Sequence, residues 1–320
     1  MTRRGGEEIA IGRARRGFAL VTVIWGLAVI ALLIVSFMSS ARLQLQTAYN
    51  LAGATKADLL AAAALNAAFM TLMSERESAG PNLAQQPPHD GAPRFCALEG
   101  AAVAIAVEGE SGKVDLNAAT PNILQATLAG LGLDRRQAET IATSIMAFRS
   151  RSPPQDLLSA GEGSDARPFP PKHDMFQSVL ELDQVSGVTP ELFSGLAPLV
   201  TVHSGSQGLD RRAAPPALFA ALAGRPPEEV AALGQRPYPN ALDRNDPRFP
   251  QNFNQVGVRG AVLAHVEVLL PAGQSSVREA IFDLNDGRGP GSALKEARKG
   301  AARYLDELRQ AMQSGGGPDC

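Results

Sequence analysis

Few residues of this sequence have the types and spacing that enzyme chemistry requires. The four histidines, His89, His173, His203 and His265, are scattered along the chain. The sequence contains no Gly-x-Ser-x-Gly nucleophile elbow and no phosphate-binding loop. His265 alternates with apolar residues, which is the pattern of a side chain inside a β-sheet. The sequence therefore predicts a protein that is not an enzyme.

An acidic turn near the C-terminal end offers a second kind of chemistry. Asp283, Asn285 and Asp286, followed by Gly287, carry oxygen atoms that could bind calcium. The glutamate that completes a calcium loop is not at the required distance, so an Asx-rich turn is the alternative. We expect no obligatory cofactor, with calcium at this turn left open.

The clearest chemical signal lies at the N-terminus. An arginine-rich leader ends at Gly17, and an uncharged apolar run of 20 residues spans 18–37. Such a run forms a helix of about 30 Å, the thickness of the hydrocarbon core of a bilayer. Since the basic residues precede the run, we expect the leader in the cytoplasm and the rest of the chain on the exported side.

Three interpretations of this segment differ in how it is processed. A cleaved secretory signal could use the small residues 39–41, although its apolar region is usually about 7–15 residues long. An uncleaved signal anchor is the second interpretation. The third rests on the junction of Arg16, Gly17 and Phe18, which resembles the processing site of type IV pilins and pseudopilins. That resemblance implies that a prepilin peptidase cuts between Gly17 and Phe18, and that Phe18 is then N-methylated.

Thr22 departs from the common pattern of those proteins. Most of them carry a glutamate as the fifth mature residue, which is thought to pair with the N-terminal amine of a neighbouring subunit. A lone carboxylate in an apolar filament core would cost several kcal/mol, and the first subunit has no such neighbour ahead of it. Thr22 therefore predicts a tip subunit. The alternative is a polar residue that bonds back to its own helix.

Charge and cysteine content limit the partners. The formal net charge is −2, and the leader through Gly17 has five Arg and two Glu (+3), which leaves −5 for the rest. A mildly acidic body disfavours general nucleic-acid binding.

Cys96 and Cys320 are both expected on the exported side, where disulfides form. A bridge between them and two unrelated thiols are both compatible with the sequence.

Hydrophobic periodicity predicts the elements that position these residues. Helical spacing continues past the membrane to about Arg76. The other predicted elements are a strand over Ala101–Glu108, a hairpin over Val262–Leu270 and Ser276–Asp283, and an amphipathic helix over Ser292–Gln313. An internal near-repeat relates residues 119–128 to residues 213–222, with a proline near each helix start.

Two hairpins that contain glycine are predicted between the strands. Residues around Gly130 and Gly132 resemble a helix–hairpin–helix unit, and a partial second copy contains Gly187. In nucleic-acid binders of this class the hairpin amides contact a phosphate, and Arg135 and Arg136 follow the first hairpin here. Acidic residues lie close to both hairpins. We therefore expect a packing motif that presents a protein-binding surface and no nucleic acid, with DNA binding as the alternative.

The order of these segments resembles the minor pseudopilin K family of type II secretion systems. Besides the junction at Gly17 and Thr22, the resemblance is carried by Gly112–Pro121, Glu181–Phe193 and Ala197–Val202. A further segment of the family pattern is degraded here, at Leu209–Pro216.

The resemblance implies an α+β fold with a long N-terminal transmembrane helix and a pseudopilin-like α/β domain interrupted by a large helical insertion with helix–hairpin–helix-like units. The implied divisions are a cytoplasmic prepilin leader (1–17), a transmembrane helix (18–41), its periplasmic continuation (42–78), the first part of the α/β domain (79–112), the insertion (113–200) and the remainder of the α/β domain (201–320).

The resemblance also implies a non-enzymatic subunit at the pseudopilus tip, anchored in the inner membrane with its bulk in the periplasm. It would help to initiate filament assembly and export across the outer membrane. The implied partners are the minor pseudopilins I and J, the major pseudopilin, the inner-membrane assembly platform, prepilin peptidase and the lipid bilayer. The alternatives are a membrane-anchored DNA receptor with helix–hairpin–helix units and a type IV pilus tip subunit.

Overall fold

The structure, a computed structural model, describes residues 8–79, 89–151, 172–235, 244–255, 260–285, 290–314 and 318–320. Residues 1–7 of the predicted leader lie outside these ranges. The chain divides into two compact units, residues 1–56 and residues 57–320.

Helix α1 (Glu8–Ala79) is the longest element. It begins upstream of Phe18, where the sequence predicted its start, and ends close to the predicted Arg76. Its alanine content favours a helix over this length. Between Phe18 and Lys56, in the first unit, no side chain is buried. The predicted long N-terminal helix is confirmed.

The second unit contains a five-stranded antiparallel sheet in the order β1-β2-β5-β6-β7. Its strands are β1 (Asp90–Leu98), β2 (Ala101–Gly109), β5 (Ala261–Leu269), β6 (Ser275–Asp283) and β7 (Leu294–Lys299). Strand β2 and the β5–β6 hairpin were predicted and are confirmed. Strand β1 was missed because Gly91 and Pro93 read as turn residues. An edge strand tolerates a proline whose nitrogen faces away from its neighbour.

Alanines on α1 let the helix approach one face of the sheet. Ala57, Ala61, Ala64 and Ala68 are buried there, in a core shared with β2, β5 and β6. Small side chains bring the helix backbone close to the strands, and the apolar area removed from water stabilises the contact. The opposite face of the sheet is covered in part by α8 (Leu305–Gln313), whose Leu308 is fully buried.

The segment predicted as one helix over Ser292–Gln313 is wrong in its first part. The structure has a four-residue turn, α7 (Pro290–Ala293), then β7, and only then α8. Strand β7 pairs with the edge of β6. At Gly300 a Cβ atom would lie 2.8 Å from Cγ of Glu279, so the chain turns where only glycine fits. Pairing with the open edge of β6 outweighs the helical preference of this segment.

The chain between β2 and β5 forms a separate helical core. A short parallel pair, β3 (Val114–Asp115) and β4 (Val200–Thr201), lies at its base. Its helices are α2 (Pro121–Gly130), α3 (Arg135–Arg149), α4 (Pro190–Leu196), α5 (Pro216–Leu222) and α6 (Pro227–Gln235). The buried apolar cluster runs in sequence from Val114 to Phe249. The implied insertion, 113–200, covers the first part of this cluster, which also takes in α5 and α6.

A disulfide joins Cys96 of β1 to Cys320. Of the two alternatives left by the sequence, the structure has the bridge. Ala97 and Asp319 form a parallel bridge beside it, so the C-terminal residues lie along β1.

Candidate functional site

The predicted processing site lies within α1. Phe18 is 74% exposed, and Trp25, further along the same helix, is 71% exposed. The Thr22 hydroxyl donates to the backbone carbonyl of Ala19 at 2.9 Å, and the carbonyl of Phe18 is 3.3 Å away. Its polar group is therefore satisfied within its own helix. Cleavage between Gly17 and Phe18 stays a prediction.

Large apolar side chains cover this helix on all sides between Phe18 and Met38. Within the described ranges, α1 is the one helix long and apolar enough to cross a membrane, by length and composition alone. Apolar side chains this exposed need a non-aqueous environment or other helices around them.

Buried and half-buried ionic and polar groups occupy the junction between the sheet and the helical core. We call the following residues the junction network: Glu108, Glu110, Lys113, Thr201, His265, Glu267, Glu279 and Arg303. Among them, only His265 was predicted individually from the sequence, as a residue inside a β-sheet. The distances between these side chains show how the sheet and the helical core are connected.

Lys113 ties the end of β2 to the helical core. Its Nζ lies 2.8 Å from Oε1 of Glu110 and 3.2 Å from Oε2 of Glu108. Glu110 also accepts a hydrogen bond from the Thr201 hydroxyl on β4. Burial raises the pKa of Glu108, but Lys113 and Arg303 outweigh burial and lower that pKa to about 2. Burial lowers the pKa of Lys113, whereas Glu110 and Glu108 raise it above its ordinary value.

His265 lies between two carboxylates on the sheet. Its Nδ1 is 2.9 Å from Oε1 of Glu279, and its Nε2 is 2.8 Å from Oε1 of Glu267. Burial lowers the pKa of His265, but hydrogen bonds to Glu267 and Glu279 outweigh it, and the pKa is raised. Burial raises the pKa of Glu279, but His265 and Arg298 lower it to about 2. The two carboxylates thus favour the imidazolium form.

Arg303 connects the two halves of the network. Its guanidinium lies 2.5 Å from Glu108 and 3.1 Å from Glu279. The backbone amides of Arg303 and Tyr304 donate to Glu267. Strand β2, the β5–β6 hairpin and the start of α8 are therefore held by one set of charge-assisted hydrogen bonds.

A cavity of about 670 Å³ lies beside the junction network. Phe193, Leu199 and Ile281 contribute apolar walls, and Glu110 and Lys113 lie at one side. The carboxylates of Glu108, Glu110 and Glu279 are each within 3.2 Å of a cationic side chain. These ion pairs therefore hold the five-stranded sheet and the helical core against each other.

One sequence signal could have pointed to this network. His265 and Glu267 are two positions apart in an apolar strand, so their side chains share one face of the sheet. Glu279 is the register partner of His265 on β6. The first pairing can be read from the sequence, whereas the second requires the register of the hairpin.

At the acidic turn, Asp283 has local partners. Its Oδ1 accepts from the backbone amide of Asn285 at 3.0 Å, and Lys295 Nζ is 4.0 Å from its Oδ2. Asp286 and Gly287 lie outside the described residues. In the described ranges, no three or more His, Cys, Asp or Glu side chains are grouped as metal ligands would be. Calcium binding at this turn stays a prediction.

Both predicted hairpins contain glycine in the left-handed region, with φ of 97° at Gly132 and 84° at Gly187. The backbone amide of Gly132 donates to Ala129, and that of Leu133 donates to Leu128. These two amides are thus already used within the hairpin. At Gly187 a Cβ atom would lie 3.0 Å from Cγ1 of Ile141, so the second hairpin packs closely on α3.

Residues 103–205 match the family model described as type II secretion system (T2SS), protein K. This segment is a protein K domain. It contains Gly112–Pro121, Glu181–Phe193 and Ala197–Val202, the segments that carried the resemblance in the sequence. The predicted resemblance to the minor pseudopilin K family is confirmed over this segment.

A solved structure has a fold similar to that of this chain. It is the GspK–GspI–GspJ complex from the type 2 secretion system of enterotoxigenic Escherichia coli. The TM-score is 0.50 and the identity 19%, over 82% of this chain and 99% of that chain. At this identity the similarity shows the fold, and the predicted α+β class is confirmed. No curated protein matches the sequence.

Proposed function

We propose that this minor pseudopilin acts at the tip of the type II secretion pseudopilus and helps to initiate its assembly. The observation that carries the proposal is a protein K domain on a chain whose N-terminal helix is apolar and unburied from Phe18 onward. The proposed role is structural, and the chemistry at Gly17 and Phe18 is performed on the chain by a prepilin peptidase.

We place the apolar part of α1 in the inner membrane, with the leader in the cytoplasm and residues 57–320 in the periplasm. The basic leader supports this orientation because positively charged segments stay on the cytoplasmic side. The Cys96–Cys320 disulfide supports an exported location, since disulfides persist in oxidising compartments.

Thr22 supports the tip position. Its hydroxyl bonds within its own helix, so the residue needs no partner from a subunit ahead of it. A glutamate at the same place would require a cation in an apolar environment.

The proposed partners are the minor pseudopilins I and J of the same system. Their support is the E. coli structure, in which the chain of similar fold is part of a GspK–GspI–GspJ complex. We propose that the helical core covers the tip and that the junction network holds it in a fixed orientation on the sheet.

The first test is the intact mass of the full chain produced with and without a prepilin peptidase. We expect the peptidase to remove residues 1–17 and a methyl group to be added to Phe18. Gly17→Trp should stay uncut because a large side chain replaces the glycine at the junction. Gly12→Trp, in the same leader, is the matched control and should be cut normally.

A processed chain would then be tested for co-purification with the minor pseudopilins I and J. If the chain stays uncut, or begins near Leu43, the proposed function in a filament is excluded. If the chain is processed but does not bind the minor pseudopilins I and J, it is still a pseudopilin, and the proposed tip complex is excluded.

A further inference from the structure

Strand β1 is an edge of the five-stranded sheet. Hydrogen bonds along an antiparallel strand alternate between its two sides. The Ala97 amide donates to Pro318 rather than to β2, at 2.8 Å. By this alternation, the backbone groups of Pro93, Phe95 and Ala97 face outward.

Two features cover that outer side. Pro93 has no N–H to offer a neighbouring strand. Ala97 is paired with the C-terminal residues, because its carbonyl also accepts from the amide of Cys320 at 3.0 Å. The C-terminus thus occupies the outward groups of the strand at Ala97.

Side-chain packing does not hold this C-terminal segment in place. Pro318, Asp319 and Cys320 are all exposed. Each of the two backbone hydrogen bonds contributes only about 1 kcal/mol, which is comparable to the entropy of ordering a single residue. The covalent bond to Cys96 is therefore what keeps the segment on the strand.

The other edge of the sheet is protected differently. Strand β7 is exposed and carries Lys295, Glu296, Arg298 and Lys299, and charged side chains discourage pairing with another chain. The second half of β1, Phe95–Leu98, is apolar. Without a cover, an apolar edge strand of this kind pairs with other chains.

We propose that the Cys96–Cys320 disulfide is a redox-controlled cap of the β1 edge. Oxidised, it holds Pro318–Cys320 on β1 and blocks the edge. Reduced, it releases the segment, and β1 pairs with β1 of a second copy of this chain. Such a pair is symmetric, because the same strand is used by both copies.

The chemistry is a thiol–disulfide exchange. A dithiol reductant attacks one sulfur and forms a mixed disulfide, and its second thiol then displaces the other cysteine; two protein thiols and one reductant disulfide result. Closure is the reverse, with two electrons and two protons passing to a disulfide-carrying oxidoreductase. The timing, open before export and closed after it, rests on the orientation proposed above.

The direct test is hydrogen exchange of the full chain in detergent, with and without dithiothreitol, at a concentration low enough that the reduced chain is still monomeric. Reduction should speed exchange of the Ala97 amide in β1 at least about tenfold, because its acceptor on Pro318 is lost, and leave β5 amides unchanged. Equal exchange in β1 would overturn the proposal. Faster exchange in both strands would also overturn it, since the bond would then stabilise the whole sheet rather than the edge.

Variants separate the edge from other routes of association. Cys96→Ser/Cys320→Ser should sediment as a dimer without any reductant, whereas the oxidised wild type stays monomeric. Adding Ala97→Pro removes only an outward N–H and should restore the monomer. Adding Ala97→Val keeps the N–H and should leave the dimer. A monomeric double variant, or a dimer that survives Ala97→Pro, would exclude pairing through β1. None of this depends on tip position, so its failure is distinct from failure of the proposed function.

Discussion

His265 has no surface exposure, and both of its ring nitrogens contact a carboxylate. A neutral imidazole can donate only one hydrogen bond, whereas an imidazolium donates two. Glu267 and Glu279 therefore both receive a donated proton only when the ring is charged. Arg303 and Arg298 complete the partners of Glu279. The location of His265 inside the sheet was predicted correctly, but its ionic role was not.

The stability of the folded chain should consequently depend on pH through His265. Its folded pKa is raised above the ordinary value of 6.5, so the stabilisation is complete below pH 6.5 and is lost as pH rises through the folded pKa. We expect the urea midpoint of the full chain in detergent, followed by circular dichroism, to fall above pH 6.5.

Two variants check that His265 is the cause. His265→Gln should be less stable at pH 6 and should lose most of the decline above pH 6.5. His203→Gln leaves the contacts of His265 intact and should keep the decline of the urea midpoint above pH 6.5. A wild-type midpoint that is flat from pH 6 to pH 9 would contradict the assignment.

At the scale of elements, the near-repeat of the sequence becomes a helix contact. Helices α2 and α5 each begin at a proline, Pro121 and Pro216, and they pack against each other. A Cβ atom at Gly130 would lie 2.5 Å from Cβ of Ala221 and 2.7 Å from its Cα. The glycine is therefore required by the distance between the two helices.

Gly130→Ala should force α2 and α5 apart. Because part of the obstacle is the backbone of Ala221, we expect a loss of about 1–3 kcal/mol in the free energy of unfolding. Gly234→Ala is the matched control in α6, since its Cβ atom would meet nothing closer than 3.9 Å. That control should be neutral or more stable by up to about 1 kcal/mol, from helix propensity. Equal urea midpoints for the two variants would refute the close approach.

The molecule as a whole combines an apolar N-terminal helix with a folded body that has two apolar cores, one under the sheet and one within the helical core. Strands β2 and β5 are neighbours in the sheet, although the whole helical core lies between them in sequence. The junction network links both modules through β2, β4 and the β5–β6 hairpin. This organisation supports a role in which a folded body is carried by a membrane helix.

Thr22→Glu tests that role in a cell. If the chain is the first subunit, the added carboxylate has no amine ahead of it, and several kcal/mol of desolvation should reduce incorporation at least about tenfold. When Thr22→Glu is the only copy of the chain in the strain, we expect cargo secretion to fall. Thr22→Ser keeps the hydroxyl bond to the helix and should secrete normally. Full secretion by Thr22→Glu would place the chain elsewhere in the filament.

Patterns between near neighbours in sequence were enough to predict the apolar helix, strand β2, the β5–β6 hairpin and the prolines that begin α2 and α5. Each is set by periodicity, turn residues or a helix start, which act over a few residues. Strands β1 and β7, the Cys96–Cys320 pairing and the contact between His265 and Glu279 were decided only by the tertiary structure. Their physical reason is shared: an edge needs a partner, and a buried charge needs a counter-charge, and which residues supply them is set by strand register and chain folding rather than by the local period of the sequence.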